Sequence, residues 1–484
     1  MARCLGLWLT AVLGLTVDAV FAGDSTLTDS TLKVGAYAQD ITPPRFPISV
    51  NGSMTDHLAV AAHDPLQARC LVLANSQTQL ALVVCDSCAI PREIVDSARR
   101  RASYRTGIPA ANMLIAATHA HSCPTVVGVF QSDPDENYRE FLADRIADAI
   151  ERAWQRLEPG RIGWTTAVDD TQVFNRRWKL KDGMLEENPF GQKIDRVRMN
   201  PGFNNPHVVE PVGPVDPQIS VLSAQSRDGR PIAVLANYGL HYVGGVPGNV
   251  VSADYFGEFA ARLNRLLGER GGNGECVVIM SNGTSGDVNN VNFRMTMPPK
   301  REPFEQIGIV ADSVAQKVAA VYGSIAHTDD VVLASVDTEL TLGVRKPSAA
   351  EVAAARQLLE ENPERPLKGL QLIYARETVL LHDFPDTVNV RLQALRIGDL
   401  AIVSSPCETF AETGLAIKRD SPFRHTFVIE LANGYHGYLP TPQQHEWGGY
   451  ETWRARSSYL AVDAEPKVRN TLLELLHQLK ALPR

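Results

Sequence analysis

Five apolar runs that each end in a knot of polar residues constrain this chain more than any other feature. Residues 113–117 run into Thr118-His119-Ala120-His121-Ser122, and residues 232–240 into His241. Residues 277–280 lead to Ser281-Asn282-Gly283-Thr284-Ser285-Gly286-Asp287, and 400–403 to Ser405-Pro406-Cys407-Glu408. The last, 427–431, leads to Ala432-Asn433-Gly434-Tyr435-His436-Gly437-Tyr438. Open α/β sheets bind ligands at the carboxyl ends of their strands. The pattern therefore predicts an α/β fold, a mixed sheet core flanked by helices, with an active site at the strand C-terminal ends.

The rest of the chain fits that architecture. A strand-like start over 32–41 is followed by alternating strand runs and amphipathic helices. Leu142, Ile146, Ala149, Ile150 and Ala153 form one helix face behind an Asp135 start, and Leu472, Leu475, Leu476 and Leu479 form another. Ser348 with Glu351 reads as a capping box. It opens a helix that stops before Asn362-Pro363 and, with a helix over 370–381, predicts a helical hairpin at the rim. Residues 179–218 are broken by Asn188-Pro189, Asn200-Pro201-Gly202, Asn204-Asn205-Pro206 and Gly213-Pro214, and read as a long connection of the lid type. There is no internal repeat and no other linker, so residues 23–484 are expected to form a single large catalytic domain.

Composition narrows the function. With 484 residues, 44% hydrophobic and 21% charged, 35 Gly and 30 Pro, the chain is neither disordered, coiled-coil nor collagen-like. Lys plus Arg number 47 against 55 for Asp plus Glu, a formal net charge of -8, which argues against a nucleic-acid partner. Residues 1–22 carry Arg3, an apolar run and then Val20-Phe21-Ala22, the pattern of a signal peptide. That run is too short to span a bilayer, and no other segment is apolar enough to do so. Cys4 lies ahead of the run, which argues against a lipoprotein anchor. An exported protein, secreted or periplasmic, is expected. Cys70, Cys85, Cys88, Cys123, Cys276 and Cys407 remain after cleavage, an even number that permits disulfides. Cys85 and Cys88 read as core packing or a disulfide.

The polar knots carry metal chemistry. His119 and His121 at the end of one strand are expected to point to one face by the two-residue period of the strand. With His241 and Glu408 they supply the nitrogen and oxygen ligands that suit zinc. A metallo-β-lactamase site would have Asp-His after the pair, where this chain has Ser122-Cys123-Pro124. An amidohydrolase barrel would need eight βα units, which the irregular 179–218 stretch and the late β-rich segments do not give. Asp86 and His436 stand near these elements, read respectively as structural or hydrogen-bond orienting and as supporting a ligand from behind.

Taken together, the pieces resemble the neutral ceramidase family, zinc-dependent amidases that split the N-acyl bond of ceramide. The resemblance runs from Gly35-Ala36-Tyr37-Ala38-Gln39-Asp40-Ile41-Thr42 through Thr118-His119-Ala120-His121-Ser122, Asn175-Arg176 and His241. It continues to Gly286-Asp287-Val288, Cys407-Glu408-Thr409-Phe410 and Tyr435-His436-Gly437-Tyr438. It implies one Zn²⁺ per chain, held by His119, His241, Glu408 and Tyr438, with His121, Arg176 and Tyr450 lining the polar pocket. It implies a small lipid-like N-acyl substrate and no membrane engagement beyond transient contact with lipid. Two departures stand out. Where the family has a serine after Gly-Asp-Val, this chain has Asn289, which excludes a serine nucleophile there and leaves a residue able to hydrogen-bond substrate. Family members commonly add an immunoglobulin-like C-terminal domain, whereas this chain ends soon after a helix over 466–479, so the catalytic domain is expected to stand alone. Two other readings stay open at this stage. One is a zinc hydrolase of another N-acyl amide or ester, and the other a secreted lipid-binding homologue without catalysis.

Overall fold

The apolar runs are buried on both faces, and this layers the molecule. In residues 400–403, Leu400 and Ile402 point into one hydrophobic cluster while Ala401 and Val403 point into another. Each such Leu, Ile or Val contributes roughly 1.5–3 kcal/mol when removed from water, so a strand of this kind is stable only between two covering layers. A computed structural model describes residues 31–269 and 276–483. The signal-type segment 1–22 lies outside the described residues.

The first half contains β1 (Lys33–Asp40), β2 (Gln67–Ala74), β3 (Gln79–Cys85), α1 (Arg92–Thr106), β4 (Met113–Ala117), α2 (Glu136–Gln155), β5 (Glu158–Val168) and β6 (Gln218–Ser226). Next come β7 (Pro231–Tyr238), α3 (Asp254–Glu269), β8 (Val277–Asn282), α4 (Glu305–Tyr322), β9 (Leu333–Gly343), α5 (Ala349–Glu361) and α6 (Leu370–His382). The chain closes with β10 (Thr387–Ile397), β11 (Leu400–Ser404), α7 (Ala411–Asp420), β12 (His425–Ile429), α8 (Pro442–Trp447) and α9 (Ala464–Ala481).

Eight strands form one sheet in the order β8-β7-β6-β5-β1-β2-β3-β4, and four form a second in the order β9-β10-β11-β12. Both are mixed. Parallel pairing occurs at β3 with β4, β7 with β8 and β11 with β12, and each of these pairs is joined through a helix. Helices α1 to α4 cover one face of the large sheet. Its other face shares a core with the small sheet, including Leu71, Leu82, Leu395, Ile402 and Phe427. Helices α7 and α9 close the far side. The mixed α/β core expected from sequence is present, and the face-to-face packing of two sheets is an addition to it.

Local signals explain the helix ends. The Asp135 side chain accepts from the Asn137 and Tyr138 amides, and Ser348 with Glu351 forms the capping box in full. The α5–α6 hairpin is present. Its α6 is anchored by buried Glu377, which receives Arg456, and both Arg376 and Arg456 donate to the Phe130 carbonyl. Residues 179–218 differ from expectation. They are not structureless but carry short paired strands, Arg177–Leu180 with Val197–Met199 and Val208–Pro211, and Glu186–Glu187 with Lys193–Asp195. The Asn-Pro breaks fall between these strands, and Gly213-Pro214 follows the last of them. The six cysteines among the described residues are buried free thiols, so Cys85 and Cys88 pack in the core without a bridge. Among the described residues no helix is long and apolar enough to cross a membrane.

The outer strands of the large sheet meet at their C-terminal ends. Asn282 Nδ2 donates to the Thr118 carbonyl at 3.3 Å. The chain after β12 lies across this seam, with the Glu430 amide donating to Asn282 at 3.1 Å and the Ala117 amide to Leu431 at 3.1 Å. The polar ends of β4, β7, β8, β11 and β12 are thereby gathered in one place.

Candidate metal centre

Three donors from three of these strand ends converge. His119 Nε2 lies 3.0 Å from His241 Nε2 and 3.2 Å from Glu408 Oε2, and His241 Nε2 lies 3.7 Å from the same oxygen. All three residues are buried. His119 Nδ1 faces the Cys88 carbonyl at 2.6 Å and His241 Nδ1 faces the Ser285 carbonyl at 3.0 Å. Carbonyls only accept, so each Nδ1 carries a hydrogen, and either ring without a second proton presents a lone pair at Nε2. Glu408 Oε2 has no hydrogen-bond donor either. Three lone pairs aimed at one point repel unless a positive charge sits among them. A tetrahedral zinc with bonds of about 2.0–2.1 Å sets its ligands roughly 3.3 Å apart, which fits these separations.

The titration pattern has the same origin. Burial, with repulsion from His119 and Arg176, pushes His121 and His241 down. Burial also pulls His119 down, but Cys88 and Glu408 outweigh it and its net shift is upward. Burial pulls Glu408 up, yet His119, Arg176 and Tyr435 hold its net value below the usual carboxylate range. One positive charge belongs at the centre, and a proton on His119 and a metal ion compete for the same place.

His121 stands beside this triangle, its Nε2 3.1 Å from His119 Nε2, in a second triangle with Cys88 and His119. The two imidazoles do not meet through strand alternation. β4 ends at Ala117, His119 adopts a left-handed φ of 73°, and His121 lies in the following turn. Such a backbone costs of the order of 1–3 kcal/mol and persists where surrounding bonds impose it. Here the His119 amide is fixed to the Ser87 carbonyl at 2.8 Å. The His121 ring is stacked on Tyr242 with centroids 3.8 Å apart and is packed against Gly52. A Cβ on Gly52 would come within 2.4 Å of His121 Cγ, so only glycine fits.

Tyr438 and Tyr450 line the same cavity as His119, His121 and Glu408, their rings 5.7 Å apart. Arg176 is buried and fully engaged on one side. Its Nη2 donates to the Tyr438 hydroxyl at 3.1 Å and to the Gly286 carbonyl at 2.8 Å, and its Nε to Glu451 at 2.9 Å. The other Glu451 oxygen takes Arg177 at 2.5 Å. Gly286 itself passes against the Glu408 backbone so closely that a Cβ would lie 2.4 Å from the Glu408 carbonyl oxygen. Asp287 accepts from Asn175 and from the first amide of α7, which explains why Asn175 and Gly286-Asp287 belong together. The cavity holds about 30 Å³, room for about two waters, with Ala89, Val129 and Phe130 as its apolar wall.

Other expectations fall elsewhere. Asn289 donates to Asn200 and accepts from the Val291 amide, and it is not among the cavity-lining residues. Asp86 is the buried partner of Arg69, a structural role. His436 bonds Tyr459 at 2.6 Å rather than a proposed ligand. Several residues that matter to the site carried no role in the sequence reading. Tyr435 donates to Glu408 Oε1 at 2.8 Å. Cys88 provides the carbonyl for His119, and Glu451 balances two arginines. Glu430 is buried behind the ligands, its carboxyl pushed up by burial to about 8. The available signal was a single charge inside an otherwise apolar run.

No protein-family model matches the chain. Among curated proteins it is similar to the neutral ceramidase of Pseudomonas aeruginosa, 23% identical over 418 residues, which cover 73% of this chain and 58% of that protein. It is also similar to neutral ceramidase A of Dictyostelium discoideum, 23% identical over 231 residues, covering 44% of this chain and 29% of that protein. The chain thus spans less than two thirds of the length of these relatives. Among solved structures, the crystal structure of the P. aeruginosa neutral ceramidase superposes with a TM-score of 0.67 at 18% identity, over 94% of this chain and 76% of that one. A ceramidase complexed with C2 superposes at 0.68 and 17% identity, over 93% and 76%. The chain has the neutral ceramidase fold and is related in sequence to that family.

Proposed function

We propose that the protein is a zinc-dependent amidohydrolase that cleaves the N-acyl bond of ceramide or a similar N-acyl lipid, releasing a fatty acid and an amine such as sphingosine. The observation that carries this reading is the convergence of His119, His241 and Glu408 on one point, with His121 at its edge. In this reading these three residues, with Tyr438, hold one Zn²⁺ per chain. Bound there, zinc would supply a Lewis acid and lower the pKa of a water to about 7.

The chain's own groups divide the remaining work. His121, kept neutral by burial and by its cationic neighbours, accepts the proton of the attacking water at Nε2 and returns it to the leaving nitrogen. Tyr450, which lines the same cavity beside Tyr438, would donate its hydroxyl to the developing oxyanion. Arg176, already engaged with Glu451 and Gly286, holds the Tyr438 oxygen in place rather than reaching for the substrate head group. Asn289, turned to Asn200, acts at most on substrate parts outside the cavity. Phe130 and Val129 offer the acyl chain its apolar contact.

A second reading is a zinc hydrolase of another N-acyl amide or an ester, which the same ligands and His121 would serve. Export to the periplasm or outside the cell is proposed from residues 1–22 alone. The test is fatty-acid release from N-acyl-sphingosines of two chain lengths by purified protein, with chelator, with added zinc, and in His119→Ala. Zinc-restorable release that the variant lacks supports the proposal. Metal binding with turnover of esters or short N-acyl amines only would move the assignment to the second reading.

A further inference from the structure

Behind the candidate ligands lies a carboxyl group that the mechanism does not use. Glu430 follows β12 and is 0% exposed. Its amide is fixed to Asn282 at the end of β8, so the side chain starts at the seam where the outer strands meet. Its Oε1 accepts from the Ser285 hydroxyl at 2.6 Å and its Oε2 from the Thr409 amide at 2.7 Å. Each donor belongs to a residue that sets one ligand.

Ser285 is the residue whose carbonyl takes the His241 Nδ1 hydrogen at 3.0 Å, and its hydroxyl oxygen is 3.4 Å from the same nitrogen. With the hydroxyl hydrogen committed to Glu430, the oxygen turns a lone pair towards His241. Thr409 follows Glu408 directly, and Glu408 and Thr409 pair in parallel with Tyr438 and Leu439. The Thr409 amide is the main-chain anchor just beyond Glu408, and Glu430 holds it.

We infer that Glu430 is a positioning residue for the metal centre, fixing His241 through Ser285 and Glu408 through Thr409 from a single buried side chain. This rests on the reading of His119, His241 and Glu408 as metal ligands. Metal-bound histidines commonly donate their second nitrogen to a carbonyl or carboxylate, and loss of such a partner typically costs 10–100-fold in metal affinity. Glu430 serves two ligands that follow different strands. A glutamine would turn its own N–H₂ towards one of the two donors, whereas a carboxyl presents an oxygen to each of Ser285 and Thr409.

The experiment measures zinc affinity by competition with a chelating dye, and the visible spectrum of the Co²⁺-loaded protein, for wild type, Glu430→Gln, Glu430→Leu and Ser285→Ala. Glu430→Leu is expected to bind zinc 10–100-fold more weakly with a changed Co²⁺ spectrum. Glu430→Gln should be intermediate, because its amide group opposes the Thr409 N–H. Ser285→Ala, which keeps the carbonyl bond to His241, should lose about 10-fold. Combining Ser285→Ala with Glu430→Gln should cost less than the product of the two single effects, since both act along one chain of bonds. If Glu430→Leu does not fold, Ser285→Ala and Glu430→Gln carry the test. Folded variants with wild-type zinc affinity and spectrum overturn the inference alone. A wild-type protein that takes up no zinc overturns the metal reading together with it.

Discussion

Glu451 offers the sharpest stability prediction in the molecule. Its side chain is 0% exposed and is shared by two guanidinium groups, Arg176 at 2.9 Å and Arg177 at 2.5 Å, which are themselves 6% and 0% exposed. Removing one partner of a buried pair leaves an uncompensated charge and costs about 3–5 kcal/mol. Glu451 is the carboxylate that both guanidinium groups touch, so Glu451→Gln, which keeps the shape and loses the charge, should fall near the upper end, at about 5 kcal/mol. Urea unfolding followed by fluorescence and circular dichroism would show a lower midpoint at an unchanged slope. Zinc-dependent turnover should fall as well, because Arg176 would no longer be held against Tyr438. The exposed pair Arg198 and Glu186 is the control, and Glu186→Gln should leave the midpoint where it is. A loss below about 1 kcal/mol for Glu451→Gln would refute the charge-balance argument, since it would mean that solvent or another group already compensates both arginines.

Three further outcomes follow from the site. Tyr435→Phe removes the hydroxyl that donates to Glu408 Oε1 at 2.8 Å, a bond to a charged group worth about 1.5–3 kcal/mol, so zinc affinity by dye competition should drop about 10–100-fold. Gly52→Ala places a methyl 2.4 Å from His121 Cγ at a φ of 99°, so turnover should collapse while zinc stoichiometry, read by elemental analysis, stays near wild type. His445 is pushed down to about 3 by burial and by Arg345 and Arg177. Its unfolded form binds a proton near pH 6.5 and its folded form does not, so its contribution is present above pH 6.5 and is lost as pH falls towards 3. His445→Gln should therefore flatten the acid limb of a stability-versus-pH curve over that window.

Much of this architecture was written in the apolar runs, because a strand buried on both faces shows itself as an unbroken stretch of Val, Ile, Leu and Ala. Residues 113–117 and 400–403 stand out for that reason, and with them the places where His119 and Glu408 must follow. Helix starts at Asp135 and Ser348 were legible because capping is local chemistry. What was not legible is set by packing between distant segments. No residue pattern shows that the two sheets stack, or that β4 and β8 meet across Glu430. The strand period gave the right partners for the wrong reason: His119 and His121 meet through a left-handed turn, not through the pleat. Residues 179–218 looked unstructured because their strands are only two to four residues long, below the length at which alternation can be read. Glu451 and Tyr242 gave no signal because their importance lies in what they touch.

His119, His241 and Glu408 are proposed to hold one metal ion together. The most direct test is the metal content of the purified protein after zinc loading and gel filtration, in wild type and in His119→Ala, His241→Ala and Glu408→Ala. One zinc per chain is expected in wild type, with tightly held zinc lost in each of the three variants. A wild-type chain without zinc, or variants that retain a full equivalent, would contradict it.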